Sequence, residues 1–323
     1  MTNPVLDNHL SADHMARALR ADVRAGLSGP RKTLPPKWFY DATGSELFER
    51  ITELPEYYPT RAEREVLLAR APEIAAVTGA ATLVELGSGS SEKTRALLDA
   101  LLAGGTLKKF VPMDVSVSAL SAAARSIVEQ YPGLLVHGVA GDFTEHLSLL
   151  PGDEPRLVAF LGGTIGNLLP GERGKFFGAV RELLGPGEWL LLGTDLVKDR
   201  QVLVEAYDDA QGVTAEFNRN VLRVVNRELD ADFEPEAFEH VAVWDAEQEW
   251  IEMRLRATRA MTVGLPGAGV EVRFAAGEEL RTEVSAKFRR ERVEQELAEA
   301  GFELAHWWTD TEGRFAVSLA TAR

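Results

Sequence analysis

Val84-Glu85-Leu86-Gly87-Ser88-Gly89-Ser90-Ser91-Glu92-Lys93 leaves a short apolar run through two glycines and enters a segment suited to a helix. A strand that turns on glycines into a helix is where a doubly wound α/β sheet receives a nucleotide-like ligand. Outward from it, four more apolar runs follow at 110–113, 134–139, 157–161 and 189–192, separated by helix-like segments at 92–103, 117–130, 143–149 and 172–184. That alternation reads as an α/β fold with a parallel, Rossmann-like sheet. Near the C-terminus a helix over 290–300 precedes two strand patterns, FELAHWWTD and RFAVSLATA, joined through Thr311-Glu312-Gly313. They predict an antiparallel hairpin closing the sheet.

The glycine loop discriminates between ligands. A dinucleotide fingerprint needs a third glycine where Glu92 stands, and a carboxylate facing a pyrophosphate is electrostatically poor. A Walker loop needs a glycine before Lys93-Thr94. An E-x-G-x-G loop followed by Asp114 at the next strand end instead suits a ligand with ribose hydroxyls and no phosphate, which is S-adenosylmethionine. Gly87, Ser88 and Gly89 let the backbone approach it. Asp114 accepts the ribose hydroxyls, and Asp142 and Phe143 offer an acceptor for the adenine amine and a face for its ring. Each feature alone has a plain structural alternative, a tight turn or a helix cap. After the fourth strand, Gly162-Gly163-Thr164-Ile165-Gly166-Asn167 is the segment expected to face a methyl acceptor, with the Gly162 carbonyl and the Asn167 side chain accepting from an amine. The alternative has Asn167 capping the following helix.

The rest of the chain is read as a second unit. Met15, Leu19 and Val23 predict a helix from Ser11 to near Gly26. Pro35-Pro36 force an extended segment that delivers Trp38, Phe39 and Tyr40 together. A short helix is read over 46–51, and Thr60 with Glu63 reads as a capping box opening a helix to about Val77. From about 197 to 286 the βα rhythm stops, and helical patterns over 199–228 give way to the strand-like VAVW, WIEMRLRA, MTVGL and VEVRF. The boundaries read are 61–196 with 287–323 for the cofactor-binding domain, 11–60 with 197–286 for a substrate-binding domain, and 1–10 as a tail. Tyr40, Phe48, Tyr57, Tyr207 and Phe217 are candidates for an aromatic enclosure around a quaternary ammonium product. Single aromatics are otherwise core by default.

Composition narrows the function. A formal charge of −15 over 323 residues, with no basic stripe, disfavours nucleic-acid partners. The chain contains no cysteine, which removes disulfides and thiolate chemistry, and its six histidines show no metal-ligand spacing, so no metal is expected. The first ten residues lack the basic start and apolar run of a leader, and no apolar stretch reaches the roughly eighteen residues of a membrane span. A cytoplasmic protein with no membrane partner is expected.

With these residues assembled, the chain resembles the histidine Nα-methyltransferases of the ergothioneine pathway, which trimethylate L-histidine to hercynine. The resemblance runs nearly end to end and is carried by LPPKWFYDATGSELFERITELPEYYPTR, LVELGSGSSEKT, FLGGTIGNL, LLLGTDLVKD, AYDDAQGVTAEFNRNVL and FAAGEELRTEVSAKF. It departs at Ser90, where the pattern has threonine, and at Ala140 and Ala286, where it has cysteine. The resemblance implies a Rossmann-like class I methyltransferase domain with an α+β substrate domain, S-adenosylmethionine as co-substrate with S-adenosylhomocysteine as product, and a monomer. It implies cofactor contacts at Gly87, Lys93, Asp114, Asp142 and Phe143. Asn167 and Tyr207 match residues that hold the amino acid's carboxylate, and Gly162, Tyr40 and Phe48 those around its amine. Tyr57, Met253, Glu283 and Ser285 match those around the imidazole. Glu283 and Ser285 alternate on one face of an extended segment, so both can serve one cavity. By residue type alone, a solvated strand position is the plain alternative for Glu283. Competing functions are the same chemistry on another free amino acid such as tryptophan or tyrosine, a non-catalytic S-adenosylmethionine sensor, and a nicotinamide dehydrogenase.

Overall fold

The computed structural model describes residues 3–150 and 155–323, and the chain divides into two units. One comprises Met1–Leu10, Pro59–Val197 and Lys287–Arg323, and the other Ser11–Tyr58 and Lys198–Ala286. Among the described residues no helix is long and apolar enough to cross a membrane.

The first unit is built on an eight-stranded sheet in the order Val5–Asn8, Leu135–Ala140, Lys109–Asp114, Thr82–Leu86, Arg156–Phe160, Trp189–Asp195, Phe315–Ala322, Phe302–Thr309. Six neighbouring strands run parallel, and the last two form the expected antiparallel hairpin, Phe315–Ala322 pairing antiparallel with Trp189–Asp195 as well. Thr82–Leu86 is buried at every position, as a strand covered on both faces must be. The chain proceeds outward from this strand to one side and then returns to build the other, with Leu86 level with both Met113 and Phe160. This reversal puts the turns after Leu86 and Phe160 at the topological switch point.

Some local expectations change. The segment read as a tail forms the strand Val5–Asn8, parallel to Leu135–Ala140 with Val5 level with His137. All four residues are exposed, so no hydrophobic alternation announces it; pairing with an open sheet edge creates the strand. The helix read over 143–149 shrinks to the single turn Leu147–Leu149. Asp142 Oδ1 accepts from Thr144 N at 2.8 Å and from its hydroxyl at 2.6 Å, a side-chain turn that competes with helix formation. The capping box also fails: the helix Pro59–Thr78 begins on Pro59, and the Glu63 carboxylate turns inward.

The second unit carries a four-stranded sheet ordered Lys32–Thr33, Glu279–Ala286, Trp250–Ala257, Phe238–Asp245, and a separate hairpin of Met261–Leu265 with Val270–Phe274. Ala12–Leu27 starts on its cap Ser11, whose hydroxyl accepts from His14 N at 3.1 Å. Pro35-Pro36 lead into a 3-10 turn, Pro36–Phe39, rather than continuing extended, and Trp38 is tied down by its indole donating to Asp22 at 2.9 Å. Asp41 caps the helix Ala42–Glu53 through Gly44 N. Burial would raise the Asp41 carboxyl, but hydrogen bonds from Gly44, Asn220 and Arg227 outweigh it and hold it below its ordinary range.

Candidate active site

In the first unit, the turn after Thr82–Leu86 passes through Gly87 at φ 66° and Gly89 at φ 50°, conformations that side chains on both residues would strain. Ser88 N donates to the Met113 carbonyl at 3.0 Å and Gly89 N to Asp114 Oδ2 at 2.8 Å, so the glycine turn is clipped to the neighbouring strand's end. Ser116 N donates to Asp114 Oδ1 at 2.8 Å. Burial pushes the Asp114 carboxyl up, and the three backbone N–H groups that face it, from Ser116, Gly89 and Val115, oppose that shift. Gly141 N donates to the Asp114 carbonyl at 3.0 Å, which brings Asp142 and Phe143 to the same end of the sheet. Phe143 packs edge-on against Phe160 at 5.0 Å and Phe176 at 5.8 Å, leaving it half-buried.

Beneath this turn stands Glu85, 4% exposed, accepting from the Ser91 hydroxyl at 2.9 Å and from the Thr94 hydroxyl. These bonds delay the helix to Arg95–Ala103, three residues later than the pattern 92–103 suggested. Burial pushes the Glu85 carboxyl up to about 7, against the pull of Thr94 and Ser91. Across the switch point, Gly162 at φ 80° and Gly163 at φ 68° precede the single turn Thr164–Asn167. Asn167 is half-buried and does not cap the helix Pro170–Leu183, whose N-cap position is Leu169. Gly162 N donates to Glu63 Oε1 at 2.7 Å, and Lys93 pairs with Glu63 Oε2. The structure thus gathers Gly87, Ser88, Gly89, Lys93, Asp114 and Gly162 at one edge of the sheet.

In the second unit, the aromatics form a continuous chain of ring contacts. Tyr40 meets Phe48 at 5.7 Å and Phe217 at 5.5 Å, Phe48 meets Tyr57 at 6.2 Å, and Tyr57 meets Tyr207 at 6.3 Å, all edge-on. The Tyr207 and Ser285 hydroxyls are 2.7 Å apart. Ser285 lies on Glu279–Ala286, and two residues back Glu283 sits level with Met253 on Trp250–Ala257, so the three share a sheet face. Glu283 is half-buried, which the reading of it as a solvated strand residue does not explain. Tyr40 is the most open of the group, at 36% exposure.

Of the six histidines, His240 lies in the interior of the second unit. It is 8% exposed, with Nε2 2.7 Å from the Tyr207 carbonyl and Nδ1 2.8 Å from Asn218 Nδ2. A carbonyl only accepts, so Nε2 carries the proton, Nδ1 accepts from Asn218, and the Asn218 oxygen accepts from the Thr282 hydroxyl at 2.6 Å. Burial holds His240 below its ordinary pKa, in keeping with this neutral form. The network fixes the backbone of Tyr207 and the residue before Glu283. Nothing in the spacing of Asn218, His240 and Thr282 signals it, because the three come from a helix and two strands.

A model of the histidine-specific, S-adenosylmethionine-dependent methyltransferases matches residues 19–322. The chain belongs to this family. It is 59% identical to the histidine N-alpha-methyltransferase of Mycolicibacterium smegmatis over 98% of both chains. It is 57% identical to the protein of the same name from Mycobacterium tuberculosis, over 97% of this chain and 98% of the other. Ergothioneine biosynthesis protein 1 of Neurospora crassa is 31% identical over 87% of this chain, which spans 32% of that longer protein.

The methyltransferase family's co-substrate has no phosphate, and the residues at the switch point suit such a ligand. The Ser88 hydroxyl is buried with no hydrogen-bond partner, and a Cβ placed on Gly87 or Gly89 meets nothing within 4 Å, so the turn presents an unsatisfied polar atom beside open space. Asp114 supplies acceptors and Lys93 a cation, and Lys93-Thr94 lacks the preceding glycine of a Walker loop.

Proposed function

We propose that the chain transfers methyl groups from S-adenosylmethionine to the α-amine of free L-histidine, three in succession, forming Nα,Nα,Nα-trimethylhistidine in ergothioneine biosynthesis. Family membership and the two near-full-length relatives support the chemistry. The observation that carries the choice of substrate is the polar row in the second unit, where Glu283 and Ser285 share a face with Met253 beside Tyr207. A carboxylate and a hydroxyl on one face match the two ring nitrogens of an imidazole, one bond charge-assisted. An indole, with one donor and no acceptor, would match one of these two groups and leave the other unmatched.

The sulfonium donor supplies an activated methyl group with a neutral leaving group, so what the chain contributes is chiefly positioning. In the first unit, Gly87, Ser88, Gly89, Lys93, Asp114, Asp142 and Phe143 hold the co-substrate, and Gly162 and Asn167 orient the amino acid. In the second unit, Tyr207 holds its carboxylate end, Tyr40 and Phe48 line its amine, and Tyr57, Met253, Glu283 and Ser285 its ring. The aromatic chain from Tyr40 to Tyr207 supplies π faces for an amine that gains methyl groups and permanent charge. The same reading makes the protein a cytoplasmic monomer.

The test is mass spectrometry of purified protein with S-adenosylmethionine and the twenty free amino acids. Histidine should gain one, two and three methyl groups; methylation of another amino acid overturns the substrate, and cofactor binding without turnover favours a sensor. Glu283→Ala should raise KM for histidine at least about tenfold, the loss of one charge-assisted hydrogen bond, with S-adenosylhomocysteine affinity unchanged. Unaltered kinetics would remove Glu283 from the imidazole site.

A further inference from the structure

Glu63 is a carboxylate with no exposed surface, at the start of the second turn of Pro59–Thr78. A charge so placed is costly unless it is paired and hydrogen-bonded. Both its oxygens are used at the switch point. Oε1 accepts from Gly162 N at 2.7 Å, and Oε2 accepts from the Lys93 ammonium. These two partners come from the two loops on either side of the sheet's reversal, the glycine turn after Thr82–Leu86 and the Gly162 turn after Arg156–Phe160. They also adjoin each other, since a Cβ on Gly162 would lie 3.5 Å from Lys93 Nζ.

A third element makes room for the carboxylate. Gly193 lies inside the strand Trp189–Asp195, where a glycine ordinarily weakens pairing. A Cβ there would overlap Glu63 Oε1. A missing side chain in a central strand, a wholly buried acid filling the space, and two loop groups bound to it together form a built position. Lys93 keeps 25% of its side chain exposed, and an ammonium has three donors, so pairing with Glu63 leaves two for a ligand.

We infer that Glu63 is a positioning residue for the co-substrate: anchored by the Gly162 N–H, it holds the Lys93 ammonium at the height and angle that receive the carboxylate of the methionine end. The inference rests on the reading of Lys93 as a cofactor contact and adds the residue that aims it. Glu63 touches no ligand itself. A neutral amide at this position keeps an acceptor for Gly162 but turns a donor toward the Lys93 ammonium, which must then swing away.

The test compares S-adenosylhomocysteine with 5′-methylthioadenosine, which shares the adenosine and sulfur but has no amino-acid end. Calorimetric Kd values are measured on the full chain for wild type, Glu63→Gln, Lys93→Met and the double variant. Glu63→Gln should weaken S-adenosylhomocysteine at least about tenfold and leave methylthioadenosine unchanged. The double variant should bind S-adenosylhomocysteine no worse than Lys93→Met alone, because Glu63 acts through the lysine. If Lys93→Met alters the ratio of the two affinities and Glu63→Gln does not, or if Glu63→Gln weakens both ligands equally, the inference is overturned. If Lys93→Met leaves the ratio untouched, the underlying reading of Lys93 fails. Where Glu63→Gln does not fold, Glu63→Asp, which keeps the charge but shortens the reach, should show the same loss confined to S-adenosylhomocysteine, and equal weakening of both ligands overturns the inference.

Discussion

Two carboxylates stand within the first unit's switch point, and their neighbours give them different work. Glu63 faces a backbone N–H and an ammonium; Glu85 faces two hydroxyls. For Glu85 the burial cost dominates, and its carboxyl ionises near 7 in the folded chain against 4.5 as its ordinary value. Between these values the native protein keeps a proton that the unfolded chain releases. Stability from this group is therefore fully present below about pH 4.5 and lost as pH rises through about 7, at up to about 1.4 kcal/mol per pH unit. Glu85→Gln should flatten that part of the stability profile, measured as urea midpoints across this range. A variant profile parallel to wild type would show that Glu85 titrates as it does in the unfolded chain. Glu85 was legible in sequence as part of the E-x-G-x-G turn, though its protonation was not, since that depends on burial. Glu63 was misread, because an acid three residues after Thr60 has the spacing of a capping box and nothing local reveals that Gly162, 99 residues on, competes for it.

Elements were most legible where periodicity and burial agree. Every parallel strand inside the first sheet was visible as an apolar run, because two covered faces demand one. Ala12–Leu27 was visible from its cap and its every-fourth apolar residues. Elements whose existence depends on a distant partner were not. Val5–Asn8 forms on a free edge, and Lys32–Thr33 is a strand only because Leu280 and Arg281 lie alongside. Gly193 belongs to the same class, a glycine that weakens its own strand to admit another element's side chain. Gly193→Ala should destabilise the protein by about 1–3 kcal/mol in urea unfolding, as overpacking of a tight interior does. In a Glu63→Ala background the same change should cost much less, because the overlapping carboxylate is gone. Equal costs in both backgrounds would place the clash elsewhere.

Across the whole molecule the chain leaves the first unit after Val197 and re-enters at Lys287. Both crossings are stitched within that unit. Phe288 N donates to the Asp195 carbonyl at 2.8 Å, Val197 N donates to the Phe288 carbonyl at 3.1 Å, and Lys287 Nζ lies 2.8 Å from Asp195 Oδ2. Lys287 is wholly buried and Asp195 is 5% exposed, so the pair costs desolvation and its value is in never being broken. Lys287→Met should lower stability by about 3–5 kcal/mol, because it takes the ammonium from a buried carboxylate. Lys287→Met with Asp195→Leu should recover much of that in equilibrium unfolding; a loss that persists in the double variant would assign it to packing.

The sequence by itself determined the sheet, the glycine turn and the class of ligand it admits, because strand burial, glycine conformations and the missing phosphate-binding residues are local properties of the chain. It also carried the family, through long runs of residues whose order survives whatever their packing. Only the tertiary structure decided how the buried charges pair and which polar groups hold the candidate residues, as with Glu63 between two loops and His240 beneath Tyr207. Those contacts join residues far apart in the chain, and the cost of burying a charge or an imidazole without a partner exists only once the fold has removed the water.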